Sequence, residues 1–280
     1  MDLHYILGGA IVGLIVGATG VGGGSLMTPL LTLVFNVPAQ IAVGTDLLFA
    51  AITKSGGAVA HARNRNVQWS VTGWLAVGSV PAAFLTLAMM RGFALGGTAE
   101  ATAIAAIIKV ALGGALLATA GALVLRDQIR ALGARFVQSG GRGVLLATAT
   151  TGGFMPVSDE RIARPLPTAA VGVVIGVLVT LTSVGAGVLG VVALYFLYPR
   201  LQTRQIVGID IAHAVPLTLV AGLGHATLGT VNWSLLGSLV IGSLPAIVLG
   251  ASLSSRLPER LLRILLALLL TGIGAKLVLG

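Results

Sequence analysis

Eight apolar stretches, at about residues 5–35, 39–60, 70–90, 101–125, 168–198, 205–224, 233–253 and 261–279, decide what this chain can fold into. Most hold about 20 residues, the length with which an α-helix crosses a hydrocarbon core about 30 Å thick. The first and fifth differ: each runs to about 31 residues, too long for one straight span, and each is interrupted by small residues. The first interruption reads Gly17-Ala-Thr-Gly-Val-Gly-Gly-Gly-Ser25 and the second Thr182-Ser-Val-Gly-Ala-Gly187. Either side of such a break leaves about 12–14 residues, or about 20 Å of helix, which does not cross. Two short half-helices meeting at an unwound Gly-rich point are therefore expected in each stretch. Composition agrees: 56% of the 280 residues are hydrophobic and 9% charged, whereas a soluble fold carries about 25% charged residues. The chain reads as a polytopic integral membrane protein, and a water-soluble enzyme is excluded. It has no Cys, which removes disulfides, thiolate catalysis and Cys-based metal sites. The net charge of +9 does not point to nucleic acid, because the Arg residues sit in short gaps between apolar runs. Met1–Tyr5 lacks a basic leader, and the apolar run continues into the first break, so no signal peptide is expected.

The sequence also repeats. Val43-Gly-Thr-Asp46 matches Val207-Gly-Ile-Asp210, His61 matches His225, Val67-Gln-Trp69 matches Val231-Asn-Trp233, and Gly78-Ser-Val-Pro81 matches Gly242-Ser-Leu-Pro245, all at an offset of 164. Thr19–Leu26 matches Thr182–Leu189 at 163, so one residue separates the two registers. A constant offset over some 80 residues marks an internal duplication. It divides the chain into a first membrane repeat (1–125), a linker (126–167) and a second membrane repeat (168–280).

Arg placement then selects a topology. If every stretch crossed once, the two sides would carry 8 and 6 Arg, which orients nothing. If both broken stretches are hairpins that enter and leave on one side, 13 Arg share that side and only Arg91 faces the other. The positive-inside rule favours the second arrangement and makes the linker cytoplasmic, with both termini periplasmic or extracellular. Each repeat is then a Gly-broken helical hairpin plus three transmembrane helices, an odd number of crossings, so the two repeats are inverted. The expected fold is an all-α membrane protein of two inverted repeats, the plan of secondary transporters with a substrate site near the midplane. The apolar stretch Gly143–Val157 is too short to cross and reads as an interfacial segment.

The Gly spacing of the first break resembles a dinucleotide-binding fingerprint, but that motif needs a preceding strand in a soluble βαβ unit. In a membrane, half-helices starting near Gly22–Ser25 and Gly185–Gly187 would aim backbone N–H groups and positive dipole ends at one point, an anion site without a cationic side chain. The same glycines would also serve close helix packing. Asp46 and Asp210 are the duplicated acids, read either as proton-coupling carboxylates or as acids complementing a helix N-terminus. His213 stands three residues after Asp210 on one helical face and suits proton relay or a structural Asp–His pair, while Phe49 occupies the matching place in the first repeat. Lys54 lies mid-span and would neutralise a bound anion or pair with a carboxylate such as Asp46; Lys109, also mid-span, reads as structural. Trp69, Trp74 and Trp233 read as interfacial anchors, and His61 and His225 as loop residues. No metal-ligating, nucleophilic or glycosidase-type constellation is found, and no cofactor is expected.

The two breaks carry a family resemblance. Gly17-Ala-Thr-Gly-Val-Gly-Gly-Gly-Ser-Leu-Met-Thr-Pro-Leu-Leu31 with Ala42-Val-Gly-Thr-Asp46 resembles the TauE/SafE family of sulfite and organosulfonate exporters. Leu178–Gly187, Val207–Pro216 and Gly242–Pro245 look like its second half. The resemblance implies a permease of the bacterial inner membrane that moves small sulfur-containing anions and is driven by protons, not an enzyme. By position, Thr19, Gly20, Gly22, Gly23, Gly24 and Ser25, with Thr182, Ser183, Gly185, Ala186 and Gly187, would line the site, and Asp46 and Asp210 would stand behind the breaks. A passive anion channel or a non-transporting membrane scaffold are the alternatives.

Overall fold

The computed structural model describes residues 3–19, 24–95, 106–125, 128, 164–253 and 259–279. Among them are ten α-helices and no strand. The first five are α1 (Leu3–Thr19), α2 (Gly24–Leu33), α3 (Ala39–Arg63), α4 (Trp69–Leu95) and α5 (Ala106–Leu125). The second five are α6 (Pro165–Thr182), α7 (Val188–Leu197), α8 (Thr203–Thr227), α9 (Trp233–Leu253) and α10 (Glu259–Leu279). A backbone without water must satisfy its own N–H and C=O groups, and helices do so within one segment. Five of the helices are long and apolar enough to cross a membrane, namely α4, α5, α6, α8 and α9. The chain is a multi-pass membrane protein.

The breaks divide their stretches unequally. α1 has 17 residues and α2 has 10, while α6 has 18 and α7 has 10. The expectation of two equal short halves is corrected in the second stretch, where the break at 183–187 lies late and the leading helix α6 reaches spanning length. α6 also starts at Pro165, three residues inside the expected linker, since proline suits the first helical turn. The break residues Gly20–Gly23 and the 143–157 stretch lie outside the described residues.

α3 and α8 pack on each other, α1 packs on α9, and α4 packs on α6. These contacts come in exchanged pairs. Gly9 and Gly13 of α1 abut the backbone of Leu239 and Ser243, and Gly172 and Gly176 of α6 abut that of Leu75 and Ser79, the equivalent residues of α4. A Cβ on Gly13 would stand 2.6 Å from the Ser243 carbonyl, so only glycine admits this approach. The Gly-x-x-x-Gly spacing puts both small residues on one seam, as in closely packed membrane helices.

The outer helices expose large apolar side chains, including Leu7 and Ile11 on α1, Phe84 and Leu85 on α4, and Val248 and Leu249 on α9. In water so continuous an apolar surface would aggregate; in a bilayer it meets lipid. The inner helices carry the polar groups. Residues 42–51 of α3 are all buried, Asp46 and Thr45 among them, and Asp210 and His213 of α8 are buried too. Trp69 and Trp233 open α4 and α9 at 61% and 62% exposure, as interfacial anchors do. Lys109 is exposed, the fourth of the described residues of α5, so its ammonium is not buried against the protein. His225 is a helix residue, fully buried and bonded through Nε2 to the Thr180 carbonyl (3.0 Å) and through Nδ1 to Thr230 Oγ1 (2.8 Å). The expectation of a loop position fails because the α8 terminus is packed against α6.

Candidate functional site

The break between α6 and α7 is built by backbone geometry few side chains accept. α6 ends at Thr182, and Ser183 then takes a left-handed conformation with φ 58°. Gly185 and Gly187 follow with φ of 128° and 135°, a region that glycine enters without a Cβ clash. The Thr182 hydroxyl is spent inside the break: it donates to the Leu178 carbonyl (2.6 Å) and accepts from the Val184 amide (3.1 Å). α7 starts at Val188, its first bonded amides being Gly190 to the Gly185 carbonyl (3.0 Å) and Val191 to the Gly187 carbonyl (3.1 Å). Such a start leaves N–H groups and the positive end of the helix dipole facing the centre of the protein.

Three ionisable side chains converge there. Asp46 and Asp210 are each the eighth residue of their helix, two turns in, not beside the first turn. Asp46 is wholly buried, and Thr28 Oγ1 of α2 donates to its Oδ2 at 2.5 Å. Asp210 is 3% exposed and rests on the start of α7, where the Gly187 N–H points to it and Gly190 leaves room: a Cβ at Gly190 would collide with Oδ1. Lys54 is half-buried; its ammonium donates to the Ala186 carbonyl at 2.9 Å and lies within electrostatic reach of both aspartates. A cation from the first repeat thus docks on the break of the second.

His213 Nε2 sits 2.7 Å from Ser79 Oγ of α4, and its ring also lies within electrostatic reach of Lys54. Among the described residues, four buried side-chain atoms have no hydrogen-bond partner: Asp46 Oδ1, Ser183 Oγ, His213 Nδ1 and His61 Nδ1. Three of the four belong to this cluster, and two of these three, the Ser183 hydroxyl and the Asp46 carboxylate, stand beside each other, with the hydroxyl turned to donate to the carboxylate. A buried polar atom left without a partner costs about 1–3 kcal/mol, so His213 Nδ1 marks the place in this cluster that a polar occupant would complete.

Of the residues expected to line the site, Ser183, Gly185, Ala186, Gly187 and Lys54 come together with Asp46, Asp210 and His213. Thr182 supports the break through its internal bonds. Gly20, Gly22 and Gly23 lie outside the described residues; for Thr19, Gly24 and Ser25 the helix backbone alone is described. Thr28, Ser79 and Gly190, which the sequence did not single out, lie against Asp46, His213 and Asp210 respectively. A separate cavity of about 490 Å³ between α4, α5 and α6 offers nothing to an anion. Its lining is apolar except for Thr86, whose hydroxyl donates to the Ala82 carbonyl. No group of three or more His, Cys, Asp or Glu able to hold a metal occurs among the described residues.

A family model described as "Sulfite exporter TauE/SafE" matches residues 5–277. The "Probable membrane transporter protein YjnA" of Bacillus subtilis is 36% identical over 279 residues, covering 99% of this chain and all of the relative. "Probable membrane transporter protein YdhB" of the same organism is 28% identical, covering 90% of each chain. A "Probable membrane transporter protein" of Xylella fastidiosa is 26% identical over 89% of this chain and 83% of its own. No solved structure matches the chain.

Proposed function

The chain belongs to the TauE/SafE family, and from that membership we propose a secondary-active transporter that moves small sulfur-containing anions, such as sulfite or organosulfonates, across the bacterial inner membrane with protons. The observation that carries the reading is the meeting of Lys54 with two buried aspartates at the start of α7. A cation held in the protein interior between opposite charges, beside the amides of the α7 start, the Ser183 hydroxyl and an unpartnered imidazole nitrogen, suits a small oxyanion: amides and hydroxyls donate, and the ammonium balances its charge. An intramembrane charge without a ligand or pathway would be costly.

In this reading the anion lies between the two break tips. The loop of the first repeat (Thr19, Gly20, Gly22, Gly23, Gly24, Ser25) contributes from one side. Ser183, Gly185, Ala186 and Gly187, shaped by Thr182, contribute from the other, and Lys54 neutralises. Asp46, Asp210 and His213 carry the proton. The two repeats are inverted, so that rocking one against the other across the α1–α9 and α4–α6 seams opens the site to each side in turn. The exchanged contacts and the Arg distribution support this arrangement.

The test is thermal stability of the detergent-purified protein with sulfite, sulfate, thiosulfate, sulfoacetate, taurine, acetate or chloride at matched ionic strength, followed by flux into proteoliposomes. A ligand at a hundredfold excess over its dissociation constant stabilises by about 2.7 kcal/mol. A shift confined to sulfur anions and abolished in Lys54→Ala, with flux that follows an imposed pH gradient, is the expected result. Flux indifferent to the gradient would identify a passive channel, and a flat panel with no flux would remove the anion reading.

A further inference from the structure

The start of α7 is already occupied by an anion, and that anion is Asp210. Its carboxylate receives the Gly187 N–H, lies against Gly190, whose missing Cβ makes the space, and faces Lys54 across the break. The first repeat is built differently. Met27 stands where the second has Gly190, and Asp46 is held by the Thr28 hydroxyl, while the matching position of α7 is Val191. The two aspartates are therefore not equivalent, although the repeat aligns them. Asp46 is tied to the hydroxyl and the amide of Thr28, with the Ser183 hydroxyl beside it; Asp210 has no side-chain donor and occupies the Gly187 amide and the dipole end that would hold an anionic ligand. Beside the α7 start the Ser183 hydroxyl stands at the Asp46 carboxylate, and on α8 His213 Nδ1 is buried without a hydrogen-bond partner.

We propose that Asp210 is an internal competitor of the transported anion: its carboxylate and the substrate claim the same α7 amides and the same Lys54 ammonium, so the anion binds there only when Asp210 has taken up a proton. The inference rests on the anion-transport reading above. Two negative charges cannot share one amide cluster and one ammonium in a poorly solvated site, so one must be neutralised or leave. The exchange balances: one proton adds to the carboxylate as one monoanion takes its place, and the charge of the site is unchanged. An anion's apparent affinity then falls with the fraction of molecules in which the site is free. Coupling of proton to anion needs no long relay, because it arises from exclusion at a single point.

The charged group facing Asp210 is Lys54 on α3, and Asp46 on α3 and His213 on α8 lie within reach of the same ammonium. α6 brings no titratable side chain. α7 brings Tyr195, which packs among Val71, Leu75 and Ile206, and α4 brings Ser79, on His213. Of these groups Asp210 alone combines contact with the α7 amides and a negative charge to remove.

The experiment uses methanesulfonate, whose charge does not change over the range tested, at about pH 6 and about pH 8. Binding to the full-length protein is read by calorimetry, with proton uptake read from runs in buffers of different ionisation enthalpy. The wild type is expected to bind more weakly at the higher pH and to take up about one proton per anion bound. Asp210→Asn, which keeps the shape and removes the charge, is expected to bind about tenfold more tightly at the higher pH, with no proton uptake; Asp210→Ser serves should the amide disturb folding. If the wild type binds without proton uptake, or if both variants bind no better than it, the competition is refuted and the anion reading stands. If neither wild type nor variants bind any anion of the panel above, the anion reading itself falls and takes this inference with it.

Discussion

Beside a backbone donor such as Asp210 also has, Asp46 carries a side-chain donor, the Thr28 hydroxyl, and its contribution is measurable. Removing the hydroxyl in Thr28→Val leaves the 2.5 Å bond unmade and a buried carboxylate oxygen without its donor. The expected loss is about 1–3 kcal/mol of stability, with Thr28→Ser recovering most of it, both read by thermal unfolding in detergent. Lys54→Met is a second case. Without its ammonium the two aspartates lose their common counter-charge, and the anion-dependent stabilisation is expected to vanish while the protein still inserts; a Lys54→Met protein that binds anions as the wild type does would place the site elsewhere. Duplication made Asp46 and Asp210 legible in the sequence, since matching residues at a fixed offset stand out from apolar background. Thr28 and Gly190 escaped notice for the converse reason: each occupies a position where the repeats differ, opposite Val191 and Met27. Ser79 does have a partner in Ser243, but its role depends on His213, for which the first repeat substitutes Phe49. A search for symmetry finds what the halves share and passes over what makes them unequal.

At the scale of elements, the helix limits followed from apolar runs to within a few residues, because length and hydropathy are imposed by the bilayer. The position of the break within the second run did not follow, since Gly-rich sequence permits unwinding over several residues and tertiary contacts choose where it falls. The same contacts explain which glycines matter. On the α1–α9 and α4–α6 seams a side chain meets a backbone carbonyl that cannot move aside; on α5 and α10, Gly114 and Gly272 have open space around the missing Cβ. Gly13→Leu and Gly176→Leu are expected to cost about 1–3 kcal/mol or to prevent assembly, whereas Gly114→Ala and Gly272→Ala are expected to leave stability within about 0.5 kcal/mol of the wild type. Thermal unfolding of the four proteins distinguishes the seams from the rest of the surface. Equal losses in all four would mean that helix propensity, not close approach, sets the glycine positions.

For the whole molecule, inversion of the repeats has a direct test, made simple by a chain without cysteine. Asn64→Cys lies between α3 and α4, and Gly229→Cys between α8 and α9, at nearly equivalent places in the two repeats. Inverted repeats put these two loops on opposite faces, so a membrane-impermeant maleimide added to intact cells is expected to label one and spare the other. Labelling of both, or of neither until the cells are opened, would mean parallel repeats. The helical seams carry a consequence for how the protein is made. Because α1 packs on α9, α4 on α6 and α3 on α8, the principal seams join one repeat to the other. The first repeat therefore leaves the ribosome with its packing surfaces waiting for helices not yet synthesised, and must be sheltered in the membrane until the second arrives. Two polypeptides divided within the 126–167 linker are expected to be degraded when made singly and to rebuild a working protein when made together, as interlocking parts whose assembly is the last step of folding.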